Sequence, residues 1–164
     1  MKEASSEIVL FPDPILRTKA QTVVQFDEKL KKSLYLMIKA MKSQKHGIGI
    51  AAPQVGLGLR MAYIDLSGRL SQGKAMELIN PEIVGLEGET ISREGCMSLP
   101  DYRGDLKRYQ SIELVWQDIQ GKRHQSKFEG IEAICIQHEV DHLEGLLFID
   151  RISSLKRDLI PRGK

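Results

Sequence analysis

The residues best suited to chemistry are the histidines and acids of the segment Q-H-E-V-D-H at positions 137–142. Side chains four residues apart lie on one face of an α-helix, so the imidazoles of His138 and His142 can reach a single ion. Glu139 flanks this pair on the helix surface. H-E-x-x-H on a helix is typical of a metal-dependent hydrolase whose glutamate is the general base. An ordinary solvated helix face is the simpler alternative.

A catalytic metal site of this type needs a third protein ligand and an open position for water. Cys135 faces the same side of the helix as His138, but it lies about 10.5 Å along the helix axis from His142, too far for ligands of one ion. Cys96 lies in the segment 93–100, whose Gly and Pro allow an irregular chain to approach the helix from outside. We therefore expect Cys96, His138 and His142 to be the metal ligands.

Residues 47–56 form a third informative segment, G-I-G-I-A-A-P-Q-V-G. Glycines permit unusual dihedrals and let a ligand come close to the backbone. The segment lacks the Lys-Ser/Thr of a P-loop and the full G-x-G-x-x-G spacing, which argues against a nucleotide site. A tight strand-to-loop corner would explain it, but the amide of Gln54 can also donate to a developing oxyanion. We expect Glu139, Gln54 and Gly49 to form the catalytic group.

Three blocks of the sequence carry a resemblance to a known family. The blocks G-I-G-I-A-A-P-Q (47–54), E-G-C-M-S (94–98) and Q-H-E-V-D-H (137–142) are similar, in this order, to the signature blocks of peptide deformylases. The segments I-N-P-E, E-G-I-E-A-I-C-I and G-L-L-F extend the resemblance over nearly the whole chain. The second block has Met97 where the family commonly has Leu, a change between apolar residues of similar volume.

The resemblance implies a reaction and a cofactor. The reaction is removal of the formyl group from the N-formylmethionyl end of newly made polypeptides, with formate and a free α-amine as products. The cofactor is one divalent ion per chain, with Fe²⁺ as the native ion and Zn²⁺, Ni²⁺ or Co²⁺ as substitutes. Ligand chemistry alone would favour zinc. In such a site Glu139 takes a proton from water and passes it to the leaving amine.

Other residues are expected to support the site or to bind the peptide. We interpret Asp141 as an orienting residue that pairs with Arg108, and we give Glu94 a similar supporting role. A cramped site can exclude acyl groups larger than formyl, while an apolar pocket takes the methionine side chain and an extended peptide lies along the glycines. The residues expected to bind substrate are Gly47, Ile48, Gly95, Arg103, Ile134 and Cys135.

Two alternatives from other classes stay open. An H-E-x-x-H metallopeptidase that cuts internal peptide bonds would need a third ligand downstream of the helix. Only Glu144 and Asp150 are available there, and neither has the usual spacing. A non-enzymatic, closed metal site would need a fourth ligand, which His46 or His124 would have to supply. Neither histidine lies in a ligand-like motif.

The composition, with 41% hydrophobic residues, fits a single catalytic domain over residues 1–164. A net charge of +2 is too small to favour specific nucleic-acid or membrane binding. Without a signal pattern, a membrane span or a disulfide framework, we expect a cytoplasmic bacterial protein, or the processed form of an organellar one. The basic C-terminal segment suits a solvated helix or a weak contact with the ribosome.

Hydrophobic periodicity predicts the elements that position these residues. Asp27 is expected to cap an amphipathic helix that runs to about residue 43. The metal helix follows Gly130, and a short helix at residues 153–159 closes the chain. Strands are predicted at residues 60–65, 77–86, 105–117 and 122–128. Because helices and strands do not alternate regularly, the predicted fold class is α+β, with antiparallel strands packed around a central metal-binding helix.

Overall fold

A computed structural model describes residues 7–163 as a mixture of antiparallel strands and helices, as predicted. The α-helices in this range are α1 (Glu28–Lys42), α2 (Gly130–Leu143) and α3 (Leu155–Asp158). The strands are β1 (Gly49–Ala51), β2 (Met61–Asp65), β3 (Ala75–Cys96), β4 (Leu99–Gln117), β5 (Arg123–Glu129) and β6 (Leu159–Pro161). Short 3₁₀ turns are formed by Pro14–Arg17, Ala52–Val55 and Phe148–Arg151.

The strands form one antiparallel sheet with the order β1-β2-β3-β4-β5, and β6 pairs with β4. The long hairpin of β3 and β4 dominates the sheet, and Met97 and Ser98 alone connect its two strands. The pairing register shifts between Gly95 and Cys96. Such an irregularity re-aims a side chain relative to the regular alternation. Cys96 therefore lies where the strand ends and the chain turns.

Helix α2 packs one apolar face against the sheet. Ala133, Ile136, Val140 and Leu143 recur at the spacing of one helix face, and all four are buried in the main core. The sheet contributes Leu78, Ile112 and Leu114 to the same core. Burial of this face fixes the rotation of the helix about its axis. The positions of the polar residues of α2 follow from that rotation.

Helix α1 covers a second core. The side chain of Asp27 accepts a hydrogen bond from the Leu30 backbone N–H at 3.0 Å, which confirms the predicted N-cap. Leu34 and Met37 of α1 pack in this core with Ile50 of β1 and Met61 of β2.

Within residues 7–163, no helix combines the length and the apolar character needed to cross a membrane.

The end of α2 requires a glycine. Gly145 has φ +75°, in the left-handed region that favours glycine. A Cβ at this position would also lie 2.7 Å from the backbone oxygen of Arg17. The Leu146 N–H donates to the Asp141 carbonyl at 2.9 Å and closes the helix end. The chain then turns back towards the hairpin through Phe148–Arg151.

The structure corrects the predicted bounds of several elements. Strands β3 and β4 extend beyond the predicted ends at residues 86 and 105, because their mutual pairing holds segments that lack an apolar alternation. The C-terminal helix is shorter than predicted, because Leu159 pairs with Gly104 and begins β6. The sequence did not predict β1 or β6 as strands. Each is three residues long, which is too short for a periodic pattern.

We expect Ile136→Ala to destabilise the protein by about 2–5 kcal/mol, because the fully buried side chain would leave a cavity between α2 and the sheet. Urea unfolding followed by circular dichroism measures this loss. Ile131→Ala is the matched control, since it makes the same change on the same helix at a side chain that is 38% exposed. Equal losses in the two variants would contradict the packing described for α2.

Candidate metal centre

Two elements bring three ligand side chains together. Cys96 ends β3, while His138 and His142 lie one turn apart on α2. Their ligand atoms all lie within 4.8 Å of one another. The Cys96 Sγ and the His142 Nε2 are 3.3 Å apart, and both side chains are buried. A thiol and two imidazoles suit a transition-metal ion, and three ligands leave one position of a tetrahedron free.

The hydrogen bond to His138 sets which ring nitrogen is available. The His138 Nδ1 lies 2.8 Å from the Glu94 Oε2. An ionised carboxylate only accepts, so Nδ1–H must be the donor. In a neutral ring this leaves the Nε2 lone pair free to face Cys96 and His142. A carboxylate behind a histidine ligand fixes ring orientation and raises ligand basicity, which suits a metal site.

The imidazoles favour the thiolate form of Cys96. Burial alone would raise the pKa of this thiol, but the neighbouring His142 and His138 lower the pKa well below its ordinary value. Burial alone would likewise lower the pKa of His138, whereas its bonds to Cys96 and Glu94 raise that pKa well above the usual range. The thiolate is the form of cysteine that binds metals.

A buried ionic network lies behind the ligands. Arg108 donates to Glu94 at 2.7 and 2.9 Å and to Asp141 at 2.6 Å. Burial alone would raise the pKa of Glu94, but the bonds from Arg108 and His138 lower the pKa to about 2. The carboxylate therefore stays ionised over the physiological pH range. The pairing of Asp141 with Arg108 is the contact expected from the sequence, and it joins α2 to β4.

Two further contacts were not anticipated. Arg151, in the turn after α2, donates to both carboxylate oxygens of Asp141, at 3.0 and 2.7 Å. Ser98, in the hairpin turn, has its hydroxyl 3.2 Å from the Gln54 Nε2. Both residues stand in or beside the motif blocks, but their residue types alone give no signal of a role. Only the fold brings them to the site.

Glu139 is buried beside the ligands and against β1. Its Oε1 lies where a side chain on Gly49 would have to be, since a Cβ there would be 2.5 Å from this oxygen. Its Oε2 is buried without a hydrogen-bond partner among residues 7–163. Burial raises the pKa of this carboxyl above its ordinary value, although His138 and His142 oppose the shift. A raised pKa makes a carboxylate a stronger base, which suits a group that accepts a proton and later returns it.

Gln54 has a fixed amide orientation. Its Oε1 accepts from the Ala51 N–H at 3.0 Å, so its Nε2 is directed to the other side. This Nε2 lies 3.4 Å from the Cys96 Sγ. The buried amide thus has its donor nitrogen beside the ligand cluster. The 3₁₀ turn Ala52–Val55 holds it in place.

A cleft of about 1420 Å³ opens beside the ligand cluster. Its walls come from the glycine segment before β2, from the edge of β3 and from the start of α2. All the residues expected to bind substrate line this cleft, namely Gly47, Ile48, Gly95, Arg103, Ile134 and Cys135. Gln54, Gly49 and Glu139 also line it, whereas His142, Arg108 and Asp141 lie behind its surface.

The thiol of Cys135 is neutral in this cleft, because burial raises its pKa to about 12.

Of the side chains considered as other ligands, three have other partners, and His46 lines the cleft without joining the ligand cluster. Glu144 accepts from Arg60 at 2.5 Å and pairs with Lys19 at 3.0 Å. Asp150 pairs with Arg17 at the surface. His124 lies 2.7 Å from the Asp118 carboxylate and stacks on Trp116. Among the described side chains, none of the alternative ligands joins the cluster at Cys96.

Comparison with known proteins identifies the family. The sequence model of the family described as polypeptide deformylase matches residues 5–158. The chain belongs to the polypeptide deformylase family. A peptide deformylase of Acidobacterium capsulatum is 43% identical over 155 residues, which are 94% of this chain and 91% of the relative. A peptide deformylase of Thermodesulfovibrio yellowstonii is 43% identical over 153 residues, 93% of this chain and 92% of the relative.

Solved deformylase structures share the fold. The crystal structure of a peptide deformylase from Legionella pneumophila matches with a TM-score of 0.86 at 38% identity, over 94% of this chain and 89% of that one. The peptide deformylase of Thermotoga maritima matches with a TM-score of 0.84 at 37% identity, over 94% of this chain and 100% of that one. The family resemblance and the α+β fold class expected from the sequence are both confirmed.

We expect Glu94→Gln to weaken metal binding by about 10- to 100-fold, because the amide keeps an acceptor for His138 but loses the charge that raises ligand basicity. Competition of the metal-loaded protein against a chelator measures the change in affinity. Glu89→Gln is the matched control, since Glu89 lies on the same strand and pairs with Lys107 at the surface. Unchanged affinity in Glu94→Gln would contradict an orienting role for this carboxylate.

Proposed function

We propose that this protein is a metal-dependent hydrolase that removes the N-terminal formyl group from the formyl-Met of newly made polypeptides. The observation that carries the proposal is a buried carboxylate oxygen of Glu139 that has no partner within residues 7–163. It lies beside a Cys-His-His cluster at the wall of an open cleft. A metal site built only for stability would be closed by a fourth ligand and would not need a buried acid. Family membership supports the same reaction.

The residues present fit a divalent ion. Cys96, His138 and His142 would hold it, with a thiolate favoured at Cys96 and a ring orientation fixed at His138 by Glu94. Such an ion supplies Lewis acidity, which lowers the pKa of water and polarises a carbonyl group. A thiolate ligand donates charge and reduces this acidity. A base in the protein therefore has to share the work of activating water.

Glu139 is the residue proposed for that task. Its carboxylate accepts a proton from the attacking water, while the water oxygen forms a bond to the formyl carbon. It then returns the proton to the leaving nitrogen as the C–N bond breaks, which gives formate and the free α-amine. Burial raises the pKa of Glu139 above its ordinary value, which favours its role as a proton acceptor and donor.

Gln54 and the cleft walls are proposed to position the substrate. The Gln54 Nε2, which lies 3.4 Å from the Cys96 Sγ, would donate to the negative charge that develops on the formyl oxygen, a contribution of about 3–4 kcal/mol for one such donor. The glycines at positions 47, 49 and 95 leave backbone exposed for an extended peptide. Ile48, Ile134 and Cys135 offer an apolar wall for the methionine side chain.

Replacement of the proposed base tests the mechanism. We expect Glu139→Gln to lower the rate of formate release from formyl-Met-Ala-Ser by about 10²–10⁴-fold, because the amide cannot transfer the proton. Metal content measured on the same samples should stay at one ion per chain. Glu132→Gln, a change of the same type on the same helix, is the control. No formate from metal-loaded wild-type protein would overturn the proposed function itself.

We further propose Fe²⁺ as the native ion, with Zn²⁺, Ni²⁺ or Co²⁺ able to replace it. A thiolate-bound Fe²⁺ is open to oxidation, so we expect the iron-loaded enzyme to lose activity faster in air than under argon. The zinc-loaded enzyme, which has no redox chemistry, should show the same half-life in both. Equal half-lives of the iron form in air and argon would argue against this proposal.

The setting of the activity is also part of the proposal. We propose that residues 1–164 act as a single catalytic domain on N-formylmethionyl nascent peptides, in the bacterial cytoplasm or, for a processed form, in an organelle. A weak contact of the basic C-terminal segment with the ribosome remains a hypothesis drawn from its charge. Such a contact would bring the enzyme close to nascent chains, which are its proposed substrates.

A further inference from the structure

Three of the arginines that line the cleft are unpaired among the residues that the structure describes. Arg69, Arg103 and Arg162 form no ion pair within residues 7–163, although all three lie at the cleft wall. By contrast, the acids of the cleft other than Glu139 have basic partners. Among these acids, Glu87 pairs with Lys127 at 3.0 Å, Glu129 with the same lysine at 3.6 Å, and Glu94 with Arg108 at 2.7 Å. The cleft therefore presents positive charge that the described protein does not neutralise.

Arg162 lies closest to the path expected for the substrate. Its backbone N–H donates to the Asp101 carbonyl at 2.8 Å, which continues the pairing of β6 with β4. Its guanidinium reaches across β4 and contacts Gly95, in the space that a side chain at Gly95 would fill. Gly95 directly precedes the ligand Cys96. A peptide held along Gly95 would meet this guanidinium within the first residues after the formyl-Met.

The sheet register places Arg103 beside the same point. Arg103 pairs with Gly95 across the hairpin and with Ile160 of β6 on its other side. Both arginines thus belong to strand segments that are paired beside the same glycine. Guanidinium groups bind carboxylates through paired N–H donors, and they stay charged at every physiological pH. A neighbouring pair also attracts anions into the cleft over a longer distance.

We propose that Arg162, together with Arg103, binds a carboxylate of the peptide downstream of the formyl-Met residue, so that peptides with Asp or Glu there are deformylated preferentially. This inference rests on the proposed function and names a preference within it. In a nascent chain the carboxylate is an acidic side chain, since the C-terminus is still attached to tRNA. In a short test peptide it can also be the free C-terminus.

The experiment compares acidic peptides with their uncharged isosteres. Formyl-Met-Asp-Ala-amide and formyl-Met-Ala-Asp-amide are each measured against the peptide with Asn in place of Asp. We expect kcat/KM to be about two- to fivefold higher for at least one acidic peptide, as suits an exposed ion pair. The ratio should fall towards one at about 0.5 M salt, because the charges are then screened. Uncapped formyl-Met-Ala-Asn separates the effect of a free C-terminal carboxylate.

Variants assign the preference to Arg162. In Arg162→Gln the acid-over-amide ratio should drop to about one. Lys156→Gln is the matched control, since it removes one positive charge from the same C-terminal segment but outside the cleft, and it should keep the wild-type ratio.

Three results would overturn the inference. They are a wild-type ratio of one at low salt, an unchanged ratio in Arg162→Gln, and an acceleration confined to the uncapped peptide. In each case formate release from the amide-capped peptides would leave the proposed function standing. Absence of formate from every peptide would instead remove the proposed function, and the preference with it.

Discussion

A buried network of ion pairs runs from Asp141 through Arg108 and Glu94 to His138 and stabilises the metal centre. Its contacts, from 2.6 to 2.9 Å, join helix α2 to both strands of the long hairpin. Buried charges are costly unless each is paired, and removal of one member leaves the others uncompensated. The network satisfies this condition for Arg108, which is paired with two carboxylates. Because the network ends at the ligand His138, the packing of helix and sheet also decides where the ion would lie.

The same packing positions the buried acid and the thiolate beside the cleft. Ile136 and Leu143 press α2 onto the sheet, while Glu139 faces β1 across Gly49. The lack of a side chain at Gly49 lets the Glu139 carboxylate lie close to the backbone of β1. The thiolate form of Cys96 arises similarly, because two imidazoles are held beside a buried sulfur. The positions of the buried acid and of the metal ligands thus depend on one arrangement of α2 against the hairpin.

Much of this arrangement could be predicted from residue spacing. The i, i+4 spacing of His138 and His142 fixes their common face on any α-helix, and Asp27 marks a helix start through a local hydrogen bond. Strand bounds were less accessible. Residues 87–95 carry little apolar alternation, and Ile91 is 65% exposed, so pairing in the hairpin rather than burial makes this segment a strand. Leu159 forms a strand for the same non-local reason.

The sequence by itself determined the ligand types, the helix that bears two of them, and the family, because these depend on residue identity and on spacing along one element. Only the tertiary structure decided that Cys96 lies beside that helix, that Arg151 donates to Asp141, and that Arg162 contacts Gly95. These contacts join segments that are distant in the sequence or that a loop brings back onto each other. Their closeness follows from sheet register and from burial of apolar faces, which act on the whole chain at once and leave no local pattern to read.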